Sequence, residues 1–196
     1  MKKVILLVTA FISISAFSQE ESKSNSDAKF GIKGGLNYST VTQGKFEDGL
    51  DPRTSFYVGF MGEIPIAEKV IYIQPEMIYS RQGFENNYTF LGTNYSEEYQ
   101  IDYINLPVLL KLYAGNTIAF ELGPQFGLKI NEKVVNNNSE IERNDINSFD
   151  TALAGGLSLN FDEFFLSARY TYSFNEIIKN SDSKNSVFQI GGGFKF

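Results

Sequence analysis

The sequence predicts an all-β protein, an eight-stranded antiparallel up-and-down transmembrane β-barrel. From residue 30 onward the chain reads as eight segments in which apolar and polar residues alternate. The connections between these segments are alternately long and short, up to the last residue. Alternation with a period of two indicates strands with one apolar face, and long loops opposite tight turns are typical of a closed barrel in a membrane. We therefore place the barrel domain at residues 30–196.

The strand boundaries follow the alternation, and the connections have the composition of loops and turns. The long connections contain stretches such as GTNYSEEY and NNNSEIERND, which are rich in Asn, Asp, Glu, Ser and Gly. The short ones at residues 114–117 and 162–163 are expected to be hairpin turns. Pro75, Pro107 and Pro124 fall within strands, where we expect them to mark bulges. The predicted strands are 30–38, 55–64, 71–81, 101–113, 118–130, 150–161, 164–175 and 187–196.

The two faces of the last predicted strand illustrate how the sides of the barrel are assigned. One face carries apolar aromatic and aliphatic residues, while the other carries polar residues and glycines. On a soluble sandwich or lipocalin-like barrel the polar face would meet water, but such a surface gains nothing from glycines, which weaken strands. We therefore turn the polar face inward, where eight strands leave space that side chains can fill. This predicts a charge network in the lumen, made of Lys33, Glu63, Glu76, Lys111, Glu121, Lys129, Arg169 and Lys195.

The first 18 residues have the three parts of a secretory signal peptide. Lys2 and Lys3 precede an apolar stretch at residues 4–17, and Ala16-Phe17-Ser18 is a small-x-small cleavage site. This stretch of 14 residues is too short for a transmembrane helix. We expect cleavage after Ser18 and a short periplasmic tail at residues 19–29.

The composition excludes several classes of chemistry. The chain has no histidine and no cysteine, so neither a Ser-His-Asp triad nor a His/Cys metal cluster can form. The acidic pairs Glu97-Glu98 and Asp162-Glu163 lie in or beside connections and are interpreted as solvated surface. Asp48 and Asp51 lack the spacing of a calcium loop. We expect no catalytic, cofactor-binding or metal-binding residues and no cofactor, and the net charge of −6 without a basic patch argues against nucleic acid as a partner.

Three segments resemble the PorT-like outer-membrane β-barrel family of Bacteroidetes. They are FGIKGGLN from residue 30, YINLPVLLK from residue 103 and ARYTYS from residue 168. The terminal Phe196 resembles the aromatic signal that the barrel-assembly machinery reads. The resemblance implies a barrel of the OmpA/OmpX type in the cell outer membrane. We expect both termini in the periplasm, a monomer, contact with outer-membrane lipid and lipopolysaccharide, and assembly by that machinery.

Three functions fit these expectations. The leading hypothesis is a non-enzymatic barrel with a plugged polar lumen and a structural or loop-presenting role, which binds an extracellular ligand through its long loops. The second is a narrow porin-like channel for ions or small solutes. The third is an accessory role in protein secretion, which rests on the family resemblance alone.

Overall fold

A computed structural model describes residues 28–42, 50–67, 70–90, 93–136, 139–142, 146–179 and 181–196. The predicted signal peptide and all of the predicted tail up to residue 27 lie outside these ranges. Among the described residues, no helix is long and apolar enough to cross a membrane. The strands are β1 (Lys29–Thr42), β2 (Asp51–Ala67), β3 (Ile71–Phe90), β4 (Thr93–Ala114), β5 (Ile118–Asn136), β6 (Ser139–Glu142), β7 (Phe149–Phe161), β8 (Phe164–Ser173) and β9 (Lys184–Lys195).

Eight of these strands close into an antiparallel barrel, as the sequence predicts. Each strand pairs with its neighbour along the chain, and the barrel closes where β1 pairs with β9 from Gly31↔Lys195 to Thr42↔Lys184. The short strand β6 pairs with β5 alone among the described strands and stands outside the closed ring. Backbone hydrogen bonds of 2.8 and 3.1 Å between Phe30 and Phe196 bring the two ends of the barrel chain together.

The predicted hairpin turns are confirmed, but the predicted long connections are shorter than expected. Turns occupy residues 115–117 and 162–163, with Gly115 and Asp162 at positive φ. In contrast, β3 continues to Phe90 and β4 begins at Thr93, so most of the expected loop at 82–100 is strand. Lys29 likewise belongs to β1 rather than to the tail. The prediction failed here because it relied on composition. Pairing with a neighbouring strand keeps these polar segments extended, and composition gives no information about that pairing.

The expectation of bulges at the three prolines is wrong. Pro75↔Val108, Pro107↔Gln125 and Pro124↔Leu153 all lie in ladders that keep one register on both sides of the proline. The register shifts lie elsewhere: between Pro52 and Tyr57 and between Pro65 and Ala67 on β2, and between Asp102 and Tyr103 on β4. The last of these shifts arises because β5 has one extra residue, Ile130, opposite this point of β4.

Residue parity sorts the side chains into an apolar exterior and a polar interior. The outward residues of β1, β2 and β9 include the exposed Ile32, Phe60 and Ile190, whereas the alternate positions are largely buried. Glycine makes part of this interior possible. A Cβ at Gly193 would lie 2.8 Å from two ring atoms of Phe165, so the ring fits because β9 has no side chain there.

Candidate functional site

Seven of the eight charged residues predicted for the lumen are buried inside the barrel and joined in one chain of ion pairs. From β1 to β9 the cations and carboxylates alternate, so that each carboxylate lies between two cations. We call this set the lumen network, and it comprises Lys33, Glu76, Arg169, Glu121, Lys111, Glu63 and Lys195. Every member comes from a strand, so the barrel itself positions the charges.

Arg169 occupies the middle of the lumen network. Its Nη1 and Nη2 donate to the two carboxylate oxygens of Glu76 at 2.7 and 2.8 Å, and Nη2 also donates to Glu121 at 2.7 Å. Lys33 Nζ approaches Glu76 Oε1 at 3.1 Å from the other side. The planar guanidinium suits this role because it can bind a carboxylate with two parallel hydrogen bonds and still reach a second one.

The end of the lumen network nearest the chain termini is completed by neutral polar groups. Lys111 and Lys195 both approach Glu63 Oε2, at 3.1 and 3.4 Å. Tyr113 donates its hydroxyl to Glu63 at 2.7 Å, and Asn160 Oδ1 accepts from Lys195 at 2.9 Å. Buried charges are stable only when they are paired and their remaining hydrogen-bonding capacity is used, and this arrangement meets both requirements.

Lys129 is not part of the lumen network, contrary to the prediction. Its Nζ lies 2.5 Å from Glu132 Oε2 and donates to the backbone oxygen of Ile146 at 2.7 Å. Both partners lie toward the opposite end of the barrel from the termini. The prediction assigned Lys129 by parity alone, and parity does not report how far along the barrel axis a charge lies.

A layer of amides and hydroxyls that sequence reasoning did not single out lies beyond the lumen network. Asn37 donates to Ser80 at 3.0 Å and accepts from Gln189 at 2.8 Å, so it links β3 to β9 through β1. Asn185 on β9 donates directly to Gln82 on β3 at 2.6 Å. Inward parity is the signal that could have identified these residues.

At the end of the barrel farthest from the termini the interior becomes apolar. Strand residues Val41, Phe84, Ile101 and Tyr103 form a buried cluster with three residues of the connections, Leu50, Ile146 and Ile177. We call this set the apolar cluster. Sequence reasoning missed it because Ile146 and Ile177 lie in otherwise polar connections, where no periodicity marks them.

The lumen therefore offers charges held in pairs rather than a reactive group. Glu63, Glu76 and Glu121 are each bound by cations, which leaves none of them positioned as a general base. Within the described ranges, no group of three or more acidic residues is close enough to hold a metal ion. The arrangement is suited to filling and cross-linking the barrel interior.

A second candidate site is the long hairpin of β3 and β4. The apolar exterior ends at Tyr79 and Ile104, and the next outward row joins Arg81 to Asp102 at 2.8 Å. Nine further residue pairs follow, from Gln82↔Ile101 to Phe90↔Thr93. At about 3.4 Å per residue the hairpin extends for roughly 30 Å along its strands beyond the apolar band.

The outer parts of β3, β4, β5 and β6 form a projecting sheet with two edges. Among the described residues, 86–90 pair with β4 alone, and β6 pairs with β5 alone. One row of this sheet aligns three acidic residues, since Glu85 pairs with both Asp51 and Glu98. Arg53 on β2 forms an ion pair with Glu98 on β4, across the intervening strand β3.

The predicted assembly residue Phe196 lies at the barrel end that contains both termini. Its backbone bonds to Phe30, but the residue is 77% exposed. The ring therefore contributes little packing within the barrel.

Comparison with known proteins places this architecture among outer-membrane barrels. A family model described as "Outer membrane protein beta-barrel domain" matches residues 17–179. Two solved structures cover 87% of this chain and all of their own: Ail, the attachment invasion locus protein of Yersinia pestis, at 15% identity and TM-score 0.53, and Neisserial surface protein A at 13% and 0.60. A second Ail structure, at 16% and 0.53, contains the heparin analogue sucrose octasulfate. No curated protein matches the chain.

Proposed function

This chain belongs to the outer membrane protein beta-barrel domain family, and from that membership we propose a non-enzymatic protein that displays a binding surface outside the cell. It lies in the outer membrane. The observation that carries the proposal is the projecting sheet, whose outer edges present unpaired backbone groups within the described ranges. An exposed sheet edge is a template for pairing with an added strand, which is a common way of binding a protein.

We further propose that the short turns and both termini lie in the periplasm and that the projecting sheet lies outside. Bacterial outer-membrane barrels have short periplasmic turns and longer extracellular connections, and this chain has the same asymmetry. By the same comparison we propose a monomer in contact with lipid and lipopolysaccharide that is assembled by the barrel-assembly machinery. Membership of the PorT-like group of Bacteroidetes, with a role in secretion, rests on the resemblance of the sequence segments alone.

The charge of the projecting sheet favours a basic partner. Asp51, Glu85 and Glu98 align in one row, and the chain carries a net charge of −6. The related fold of Ail has been solved with a sulfated, polyanionic ligand. A polyanion would be repelled by the acidic row described here, so we propose a cationic protein surface as the partner of this chain.

We also propose that the lumen is plugged, which ranks the channel hypothesis below the binding role. The lumen network crosses the interior and the apolar cluster occupies the end away from the termini. Eight strands enclose a space just wide enough for side chains, so these groups leave little room for a water-filled path.

Photo-cross-linking in intact cells tests the binding role. A photoreactive amino acid at residue 88, on the β3 edge, should give discrete cross-links to a protein, whereas one at the lipid-facing Leu122 should not. Glu85→Lys should abolish the cross-links and Glu85→Gln should weaken them, because charge reversal repels a basic partner. Cross-links that are identical at both positions, or unaffected by Glu85→Lys, would overturn the proposal.

A further inference from the structure

A β-bulge places Lys129 and Glu132 on the same face of β5. In a regular strand, residues three apart point to opposite faces. Here Tyr103 pairs with Lys129 and Asp102 pairs with Asn131, so Ile130 is the extra residue between them. Bulges re-aim side chains in this way, and this one turns both charged residues toward the interior, where their side chains are almost wholly buried.

This ion pair holds both backbone polar groups of Ile146. Lys129 Nζ donates to the Ile146 oxygen at 2.7 Å, and Glu132 Oε2 accepts from the Ile146 nitrogen at 3.3 Å. The backbone nitrogen of Lys129 also donates to the Ser148 oxygen at 2.9 Å. The end of the connection that precedes β7 is therefore fastened to β5 by three contacts.

The same segment is tied to the connection between β8 and β9. Ile146 forms an isolated bridge with Ile178, and the nitrogen of Asn147 donates to the oxygen of Ile177 at 2.8 Å. The side chain of Asn147 donates to the Glu176 oxygen, also at 2.8 Å. Two connections from different parts of the chain thus meet over the end of the barrel.

The result of these contacts is that two isoleucines sit inside the apolar cluster. Ile146 is 1% exposed and Ile177 is 0% exposed, among inward residues of β1, β3 and β4. We propose that Lys129 and Glu132 form a latch that holds residues 146–148 and 176–178 as a plug in the barrel end farthest from the termini. When the latch opens, Ile146 leaves the apolar cluster and this end of the barrel interior becomes accessible to water.

Thiol labelling of the folded full chain in lipid vesicles tests the latch, because the protein has no cysteine of its own. The thiol introduced by Ile146→Cys should react slowly with a membrane-impermeant maleimide. Adding Lys129→Met should raise the labelling rate by about tenfold or more, since hydrogen bonds to a charged group are lost. Glu132→Gln should raise the rate in the same direction.

Two controls separate the latch from general loosening. Ser148→Cys is exposed and should label at one rate with or without Lys129→Met. Lys133→Met changes a lysine on the opposite face of β5 and should leave the labelling of Ile146→Cys unchanged. Heat-modifiable gel mobility confirms that each variant is folded, and if Lys129→Met does not fold, Glu132→Gln decides the test.

Three results would overturn the proposal. The first is fast labelling of Ile146→Cys in the otherwise unchanged chain, at the rate of Ser148→Cys. The second is an unchanged rate in folded Glu132→Gln and Lys129→Met. The third is an equal acceleration by Lys133→Met. None of these readouts requires an external partner, so the latch can fail or hold independently of the proposed binding role.

Discussion

Arg169 on β8 and Glu76 on β3 are 93 residues apart in the chain and are joined by two hydrogen bonds of 2.7 and 2.8 Å across the barrel interior. Neither strand pairs with the other in the sheet. The contact therefore connects opposite walls of the barrel through its lumen rather than through the backbone ladder. Glu121 and Lys33 extend the connection to β5 and β1.

Loss of Arg169 should strongly destabilise the barrel. Arg169→Ala leaves Glu121 and Glu76 short of a buried cationic partner, and removing one member of a buried ion pair typically costs about 3–5 kcal/mol. Urea unfolding in lipid bilayers measures the free energy of unfolding. Glu163→Ala, in an exposed turn, should stay within about 0.5 kcal/mol. A loss below about 1 kcal/mol for Arg169→Ala would show that the pair behaves like a surface ion pair.

Arginine on the lipid-facing side of β4 should be costly in a bilayer. Val108 is exposed on the apolar exterior, so Val108→Arg should lower the free energy of unfolding by about 2–4 kcal/mol if this residue lies near the midplane. Val108→Leu keeps the surface apolar and should change it by less than about 1.5 kcal/mol. The same unfolding assay compares them, and a silent Val108→Arg would mean that the assigned face of β4 is wrong.

An arginine introduced in the lumen should also destabilise the barrel, but for a different reason than one introduced on the lipid-facing side. Ser158 is fully buried on the inward face of β7, so Ser158→Arg adds volume and an unpaired charge at a buried position. We expect its destabilisation to be the same in bilayers of different thickness, whereas that of Val108→Arg should vary with depth in the lipid. Equal dependence on thickness for both variants would contradict the assignment of the two faces.

The unmodified protein should conduct ions poorly. If the lumen network and the apolar cluster plug the barrel as we propose, planar-bilayer recordings should show negligible or small and irregular conductance. Arg169→Ala should increase the frequency of such events by opening space for water. Large, regular single-channel steps from the unmodified protein would favour the channel hypothesis over the plugged barrel.

Phe196 should matter more for assembly in cells than for stability. Because the residue is 77% exposed and its backbone bonds to Phe30 do not depend on the side chain, Phe196→Ala should leave the free energy of unfolding nearly unchanged. Recognition by the assembly machinery should be impaired, which pulse-chase measurement of folded protein in the outer membrane would reveal. Normal assembly kinetics of Phe196→Ala in cells would contradict the proposal that this residue is an assembly signal.

Some of this architecture is determined by local sequence alone. The two faces of each strand could be assigned because side chains alternate with a period of two. The side on which residues such as Phe60 and Lys33 lie can therefore be predicted without knowing which strands pair. The turn at residues 162–163 is equally local. Alternation also identified the charged positions of the lumen, since a polar face lined by glycine suits a narrow interior.

Tertiary structure decided what depends on pairing between distant segments. Residues 82–100 look like a loop in composition, yet residues 82–90 and 93–100 form strands because each segment pairs with the other in register. Lys129 faces inward as its parity predicts, but it lies too far along the barrel axis to reach the lumen network, and the extra residue Ile130 turns Glu132 to the same face as its partner. Ile146 and Ile177 lie inside the barrel because their two segments hydrogen-bond to each other over its end. Neither segment has a sequence pattern that predicts this pairing.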